Sequence, residues 1–267
     1  MYKRFSIYGW QVQDTVIKLE RSDRPNQLTD EVVKSLTDKF KTTKARVWDK
    51  SYIKSGLLEM SHGKCCYCEI QLTEESKYMT VDHFHHKDSY PDEVVDWDNL
   101  LPCCNLCNST KSSHDTYINP IINPTIDNPQ QHLYFHFLHY CCRNNSVLGA
   151  NTISVLNLNS IDKRLVPRFK ISTEIMEQLE NLWGNVSNYI PDTRDVRPRN
   201  KIVNSITGLL RRAQPEHEYS ALAATIILEC EYYKNIKERL IELDLWDDTL
   251  TVLEQSAKSI CLSQYDI

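Results

Sequence analysis

The chain has 267 residues, 41% apolar and 25% charged, with a formal net charge of −5. No run of about 18 apolar residues occurs, which excludes a membrane-spanning helix, and Met1-Tyr2-Lys3-Arg4-Phe5-Ser6 lacks the apolar stretch of a signal peptide. This is the make-up of a soluble, cytoplasmic protein of one large domain or two small ones, whose ten cysteines are expected as thiols or metal ligands rather than disulfides. The negative net charge opposes nucleic-acid binding only on average. Arg194, Arg197, Arg199, Lys201, Arg211 and Arg212 form one basic stretch, and Lys163, Arg164, Arg168 and Lys170 another.

In chain order, Thr29 can cap a helix over 29–44, with Asp30 and Glu31 in its first turn and Val32, Val33, Leu36 and Phe40 on one face. A second helix is expected over about 46–61, stopped by Gly63. Met79-Thr80-Val81-Asp82-His83 reads as a strand and 85–98 as a polar loop. A short helix is expected through Asn108 to Lys111. Three Asn-Pro steps mark 115–130 as loop. His132 to Cys142 reads as one strand, Asn144-Asn145 as a hairpin turn, and Thr152 to Leu156 as the returning strand. From about 171 onward, apolar residues recur at helical spacing: Ile175, Leu179, Leu182 and Val186, then Leu222, Ile226, Cys230, Tyr233 and Leu240, and finally Leu250, Leu253, Ala257 and Ile260.

The most specific signal is a pair of Cys-x-x-Cys knuckles, Cys65/Cys68 and Cys104/Cys107, separated by 35 residues. Four thiolates so paired can close a tetrahedral shell around one structural Zn²⁺. Cys66 or Cys103 could stand in for a neighbour, but only Cys65 and Cys104 give two-residue gaps. Between the knuckles lie Asp82-His83-Phe84 and Asp96-Trp97-Asp98-Asn99-Leu100-Leu101, and Asn108 directly follows the second knuckle. A neutral imidazole at His83 can take a proton from water. Asp82 and Asn108 offer hard oxygens to a Mg²⁺-type cation. Asn99 can hold the imidazole or the loop through its amide. Lys111 stands one helical turn beyond Asn108 and could touch a backbone phosphate. His85 and His86 read as loop histidines.

The pattern Lys64-Cys65-x-Tyr67-Cys68-Glu69, Asp82-His83-Phe84, Asp96 to Leu101 and Cys104-x-x-Cys107-Asn108-x-x-Lys111 resembles the HNH nucleases of the PtuB type. These are nuclease subunits of Septu anti-phage systems, also found as retron-associated effectors. Ile153-x-x-Leu156-Asn157-Leu158-Asn159, with Leu165-Val166 and Arg168, looks like the segment that follows the core in that family, so the resemblance covers roughly 45–170. It implies a ββα-metal fold, DNA cleavage with Mg²⁺ or Mn²⁺, and a hetero-oligomer with a PtuA-type ATPase that controls the nuclease. By that likeness His83 is the base, Asp82 its preceding acid and Asn99 the central Asn, while Asn108 stands where the third residue is often His. The family tends to have Arg-Pro where this chain has His85-His86.

The expected fold class is α+β, mainly α. An N-terminal helical segment covers 1–62, a zinc-stapled HNH core 63–115, a loop and β-hairpin extension 116–170, and a C-terminal helical subdomain 171–267. The functional expectation is a metal-dependent DNA endonuclease. The alternatives are a non-catalytic zinc module binding nucleic acid or protein, and a stand-alone restriction- or toxin-type HNH enzyme.

Overall fold

The computed structural model describes residues 19–72, 78–191 and 195–265. The chain start at 1–6 and Arg194 therefore lie outside the described residues. Within them the protein is a mainly helical α+β structure with two small two-stranded sheets. It divides into two compact units. One comprises 19–132 with Cys142–Leu158, the other Leu133–Cys141 with 159–265.

The first unit opens with α1 (Asp30–Thr43), whose Thr29 cap accepts a bond from the Val32 amide at 3.3 Å. Lys44 closes it in the left-handed region, its amide bonding the Phe40 carbonyl. α2 (Ser51–Met60) starts later than its apolar spacing suggests. Tight turns at 45–50 precede it and turn Val47 and Trp48 into the core. Gly63, at φ 71°, donates to the Leu58 carbonyl at 2.7 Å and delivers the chain to the first knuckle.

β1 (Met79–His83) and β2 (Leu100–Cys104) pair antiparallel, with Met79 opposite Cys104 and His83 opposite Leu100. Every residue of β2 is buried. α3 (Asn105–Lys111) follows without a linker. The polar crossing between the strands has two single-turn 3₁₀ segments, Pro91–Glu93 and Trp97–Asn99.

Two expectations for 132–156 are corrected. His132 to Cys142 is not one strand but a hairpin of β3 (Leu133–His136) and β4 (His139–Cys142). Phe137 and Leu138 form its turn, with φ of 45° and 66°. Positive φ at both central residues is what a tight two-residue hairpin needs, and it normally selects Asn or Gly. Thr152 to Leu156 is not a strand. It lies in and just after α4 (Val147–Val155). The Ser146 hydroxyl caps that helix by accepting from the Gly149 amide at 3.1 Å. Thr152 Oγ1 donates to the Leu148 carbonyl and accepts from the Ile122 amide. The Ser146 cap and the tertiary bond from the Ile122 amide to Thr152 outweigh the β-branched composition of Thr152-Ile153-Ser154-Val155.

The second unit is the hairpin plus five helices. α5 (Val166–Ser187) is entered through a π-turn at Ile161–Leu165, so helix begins before 171. It buries Ile175, Leu179, Leu182 and Val186. α6 (Arg197–Arg212) carries the basic stretch, with Arg199, Lys201 and Arg211 exposed. The apolar stripe from Leu222 to Leu240 is divided between α7 (Ser220–Glu229) and α8 (Glu231–Glu242), broken by extended Cys230. α9 (Asp248–Ile260) completes the bundle. Arg168 is buried rather than part of a surface basic cluster. Its guanidinium donates to the Leu138 carbonyl at 3.0 Å and lies 4.4 Å from the centre of the Tyr140 ring, joining α5 to the hairpin. Arg164 is buried too, which leaves only Lys163 and Lys170 of that cluster at the surface.

Gly149 lies close against the backbone of His132. A Cβ there would stand 2.4 Å from the His132 carbonyl oxygen, a backbone atom that cannot swing aside. Gly149→Ala is expected to destabilise the protein by about 1–3 kcal/mol through overpacking. A thermal melt of the variant, compared with Ala150→Gly as a helix-propensity control, measures this.

Candidate metal centre

The Sγ atoms of Cys65, Cys68, Cys104 and Cys107 lie within 4.8 Å of one another. Zinc–sulfur bonds of about 2.3 Å in a tetrahedron place sulfurs about 3.8 Å apart, and Cys68 and Cys104 stand 3.8 Å apart. The four thiols therefore fit a zinc ion. All ten cysteines are thiols. Cys66 is not in the cluster; its amide bonds the Pro102 carbonyl at 3.0 Å. Cys103 is buried, with its thiol on the Cys104 carbonyl. Cys104 does two jobs, since its Sγ also accepts from the Cys107 amide at 3.4 Å as the N-cap of α3.

Tyr67, inside the first knuckle, connects the thiol cluster to β1. Its hydroxyl donates to Asp82 Oδ2 at 2.7 Å. Lys111 Nζ, from the end of α3, donates to Asp82 Oδ1 at 3.1 Å and to the His83 carbonyl at 2.6 Å. Asp82 and Lys111 are both buried. The Lys111 ammonium thus faces inward, as counter-charge to Asp82. Each Asp82 oxygen retains lone-pair capacity beyond its one bond. Asn108 is half-buried, and its side-chain amide has no partner among the described residues.

His83 points the other way from the strand. Its ring packs edge-on against Trp48 at 4.6 Å between centroids, and Nε2 meets the Val94 carbonyl at 2.9 Å. A carbonyl only accepts, so Nε2 carries the proton and Nδ1 the lone pair. Burial pushes the His83 pKa down to about 4, against the opposing pull of Asp82. The imidazole is therefore neutral throughout the physiological range.

Asn99 holds the loop, not the His83 ring. Its Oδ1 accepts from the His85 amide at 2.6 Å, and its Nδ2 donates to the His85 and Glu93 carbonyls, both at 3.1 Å. Asn99 is itself fixed by Arg21, whose guanidinium donates to the carbonyls of Trp97, Leu100 and Asp98 at 2.5, 2.8 and 2.9 Å. Around His85, Nδ1 meets Thr116 Oγ1 at 2.7 Å, and the ring stacks on Tyr117. His86 is held loosely, with Nδ1 3.3 Å from Ser89 Oγ. Arg21, Trp48, Tyr67 and Thr116 are the supporting residues that spacing did not reveal. Only Tyr67 carried a local signal, its place within a knuckle.

A β-β-α unit whose four knuckle thiols could hold one metal ion carries a buried Asp-His pair on its first strand. No family model matches the chain. It is 42% identical over 233 residues to the Septu protein PtuB of Bacillus thuringiensis, covering 87% of this chain and 90% of that protein. The chain belongs to the PtuB family. The similarity extends past the 45–170 segment that carries the motifs.

Two outcomes follow from this geometry. Cys104→Ser should lose zinc and stability together, because it removes a ligand while a Ser hydroxyl can still cap α3. Metal analysis showing one zinc per wild-type chain, and none in a variant of lowered melting temperature, checks it. His83 gives a pH dependence of stability. Its folded pKa lies below the ordinary histidine value near 6.5, so the unfolded chain binds the proton first. The contribution is fully present above about pH 6.5 and is lost as pH falls toward about 4, by at most about 3 kcal/mol. Denaturant titrations at pH 7 and pH 4.5 should differ less in His83→Gln than in the wild type.

Proposed function

We propose that this chain is a metal-dependent HNH endonuclease that cuts DNA as the effector of a Septu anti-phage complex, under control of a PtuA-type ATPase. The observation that carries the reading is His83. A neutral imidazole is held by one nitrogen in a single tautomer, next to a buried carboxylate and a loop clamped by Asn99. Membership of the PtuB family and the four-thiol staple support the same conclusion.

In this reading β1, β2 and α3 form a ββα-metal core. His83 Nδ1 accepts a proton from the attacking water while its Nε2–H stays on the Val94 carbonyl, so the ring cannot rotate away. Trp48 excludes bulk water from one side of the ring. A hard cation, Mg²⁺ or Mn²⁺, would be held by Asn108 and by the remaining lone pairs of Asp82. It would supply charge stabilisation at the phosphate. Lys111 acts through Asp82, offsetting its charge inside the protein and tying α3 to the carbonyl of His83. Asn99 keeps the 85–99 loop in register with the base. Zinc takes no part in the reaction and holds the two knuckles.

Cleavage of plasmid DNA with Mg²⁺ or Mn²⁺ tests the proposal. His83→Ala should lose about 10²–10⁴ in rate with zinc content unchanged, whereas Asn108→Ala should raise the metal concentration for half-maximal rate. Wild-type cleavage by His83→Ala would remove the base. An ATPase encoded beside the chain should co-purify with it, and its failure to do so would remove the partner.

A further inference from the structure

Different charges surround the two imidazoles on either side of Phe84. Those acting on His85 include Glu93, Asp115 and Asp96 against Lys111. Those acting on His83 are Lys87 and Lys111 against Asp82, and Lys111 is already bonded to Asp82. Lys87 is the cation beyond that pair.

Lys87 is held beside the His83 ring. Its ammonium lies 5.8 Å from the centre of the Trp48 ring, which itself packs edge-on against His83 at 4.6 Å. It is also 3.5 Å from Asp88. The same carboxylate takes Lys44 at 3.4 Å and faces His86 Nε2 at 3.8 Å. The Lys44 ammonium lies 4.7 Å from the Phe40 ring, which packs on Trp48. Two ammonium groups thus share one acid, and both connect to His83 through Trp48.

The surplus of positive charge continues along the turn that joins α1 to α2. Residues 39–54 hold Lys39, Lys41, Lys44, Arg46, Lys50 and Lys54 against one acid, Asp49. All of these cations except Lys54 are exposed. Asp49 is shared in its turn, by Arg46 at 3.6 Å and by Lys54. Exposed ion pairs of this kind contribute little, so a phosphate can take the place of either carboxylate at small cost.

We propose that this band, centred on Lys87 and Lys44 and extended by Arg46, binds the phosphate backbone of a DNA duplex beside the bond cut at His83, a proposal that rests on the nuclease reading. A strand brought to His83 carries its neighbouring phosphates past the residues around that ring. Lysines there neutralise them, whereas the acids around His85 repel them. Ammonium groups facing phosphates position a duplex without reading its sequence. An acidic protein surface would also suit the charge, but the closeness of Lys87 to His83 favours the nucleic acid.

The test is fluorescence anisotropy of a labelled DNA duplex with the zinc-loaded full chain, over a range of NaCl and without added Mg²⁺ or Mn²⁺. Each phosphate contact contributes about 0.9 to the slope of log affinity against log salt, so Lys44→Gln with Lys87→Gln should lower the slope by about 1.8. Lys44→Arg with Lys87→Arg should restore it. Arg199→Gln with Lys201→Gln on α6 removes the same charge and should leave the slope at its wild-type value. Zinc content of each variant verifies folding. An unchanged slope in Lys44→Gln with Lys87→Gln, an equal loss in the α6 variant, or no duplex binding by wild type overturns the proposal. So does a loss confined to RNA of the same length or to co-purification of a partner protein. Plasmid cleavage with Mg²⁺, run in parallel, separates the two readings. Cleavage by wild type with an unchanged slope in Lys44→Gln with Lys87→Gln keeps the nuclease and removes the binding face. A lowered slope with no cleavage by wild type keeps the binding face and removes the nuclease.

Discussion

Four thiols drawn to one point set the geometry of everything around them. Cys104 is at once a zinc-type ligand, the residue paired with Met79 across the sheet, and the cap of α3. Moving the cluster would move the strand register and the helix start together. A zinc ion in that cluster would account for the order of so short a β-β-α unit. Structural zinc binding contributes about 10–16 kcal/mol in small motifs, as much as the entire stability of a typical domain at about 5–15 kcal/mol. Four uncharged thiols at the same positions would offer only weak contacts in place of that.

The cluster reaches β1 through polar bonds. Tyr67 leaves the first knuckle for Asp82, and Lys111 returns from α3 to Asp82 and the His83 carbonyl. A buried ion pair adds little net stability, because desolvation of both charges offsets their attraction. Its value here is positional. A charge with partners in fixed directions tolerates fewer arrangements than an apolar contact, so β1 and α3 are held in one relation. His83 inherits that precision through its own carbonyl.

What the sequence disclosed was local chemistry. The knuckle spacing, the Thr29 cap and the strand at Met79 to His83 each declare themselves within a few residues, and the structure has them. What it concealed depended on distant partners. Thr152-Ile153-Ser154-Val155 has strand composition, and only the Ser146 cap and the pairing of Thr152 with Ile122 make it helix. Phe137-Leu138 has no turn signature, since two bulky residues in left-handed conformations go against local preference. Arg168 counted as surface charge until aromatic faces on the hairpin gave it somewhere to be buried. The candidate site divided along the same line. The clustering of the four thiols was visible in the knuckle spacing and the Asp82-His83 pair in its motif, whereas the partners of Asn99, the inward turn of Lys111 and the anchoring of His85 were not.

Arg21 carries a consequence for where this site begins and ends as a heritable piece of chain. The motifs run from Cys65 to Lys111, yet the carbonyls flanking Asn99 are held by a guanidinium more than 70 positions upstream. A segment cut at the motif edges would keep every ligand and every candidate catalytic group while losing the brace behind the loop. Transplanted into another protein, it would bring the reagents without the geometry. The unit that natural recombination can move intact therefore starts at or before Arg21, and a boundary drawn from motif spacing alone falls inside it.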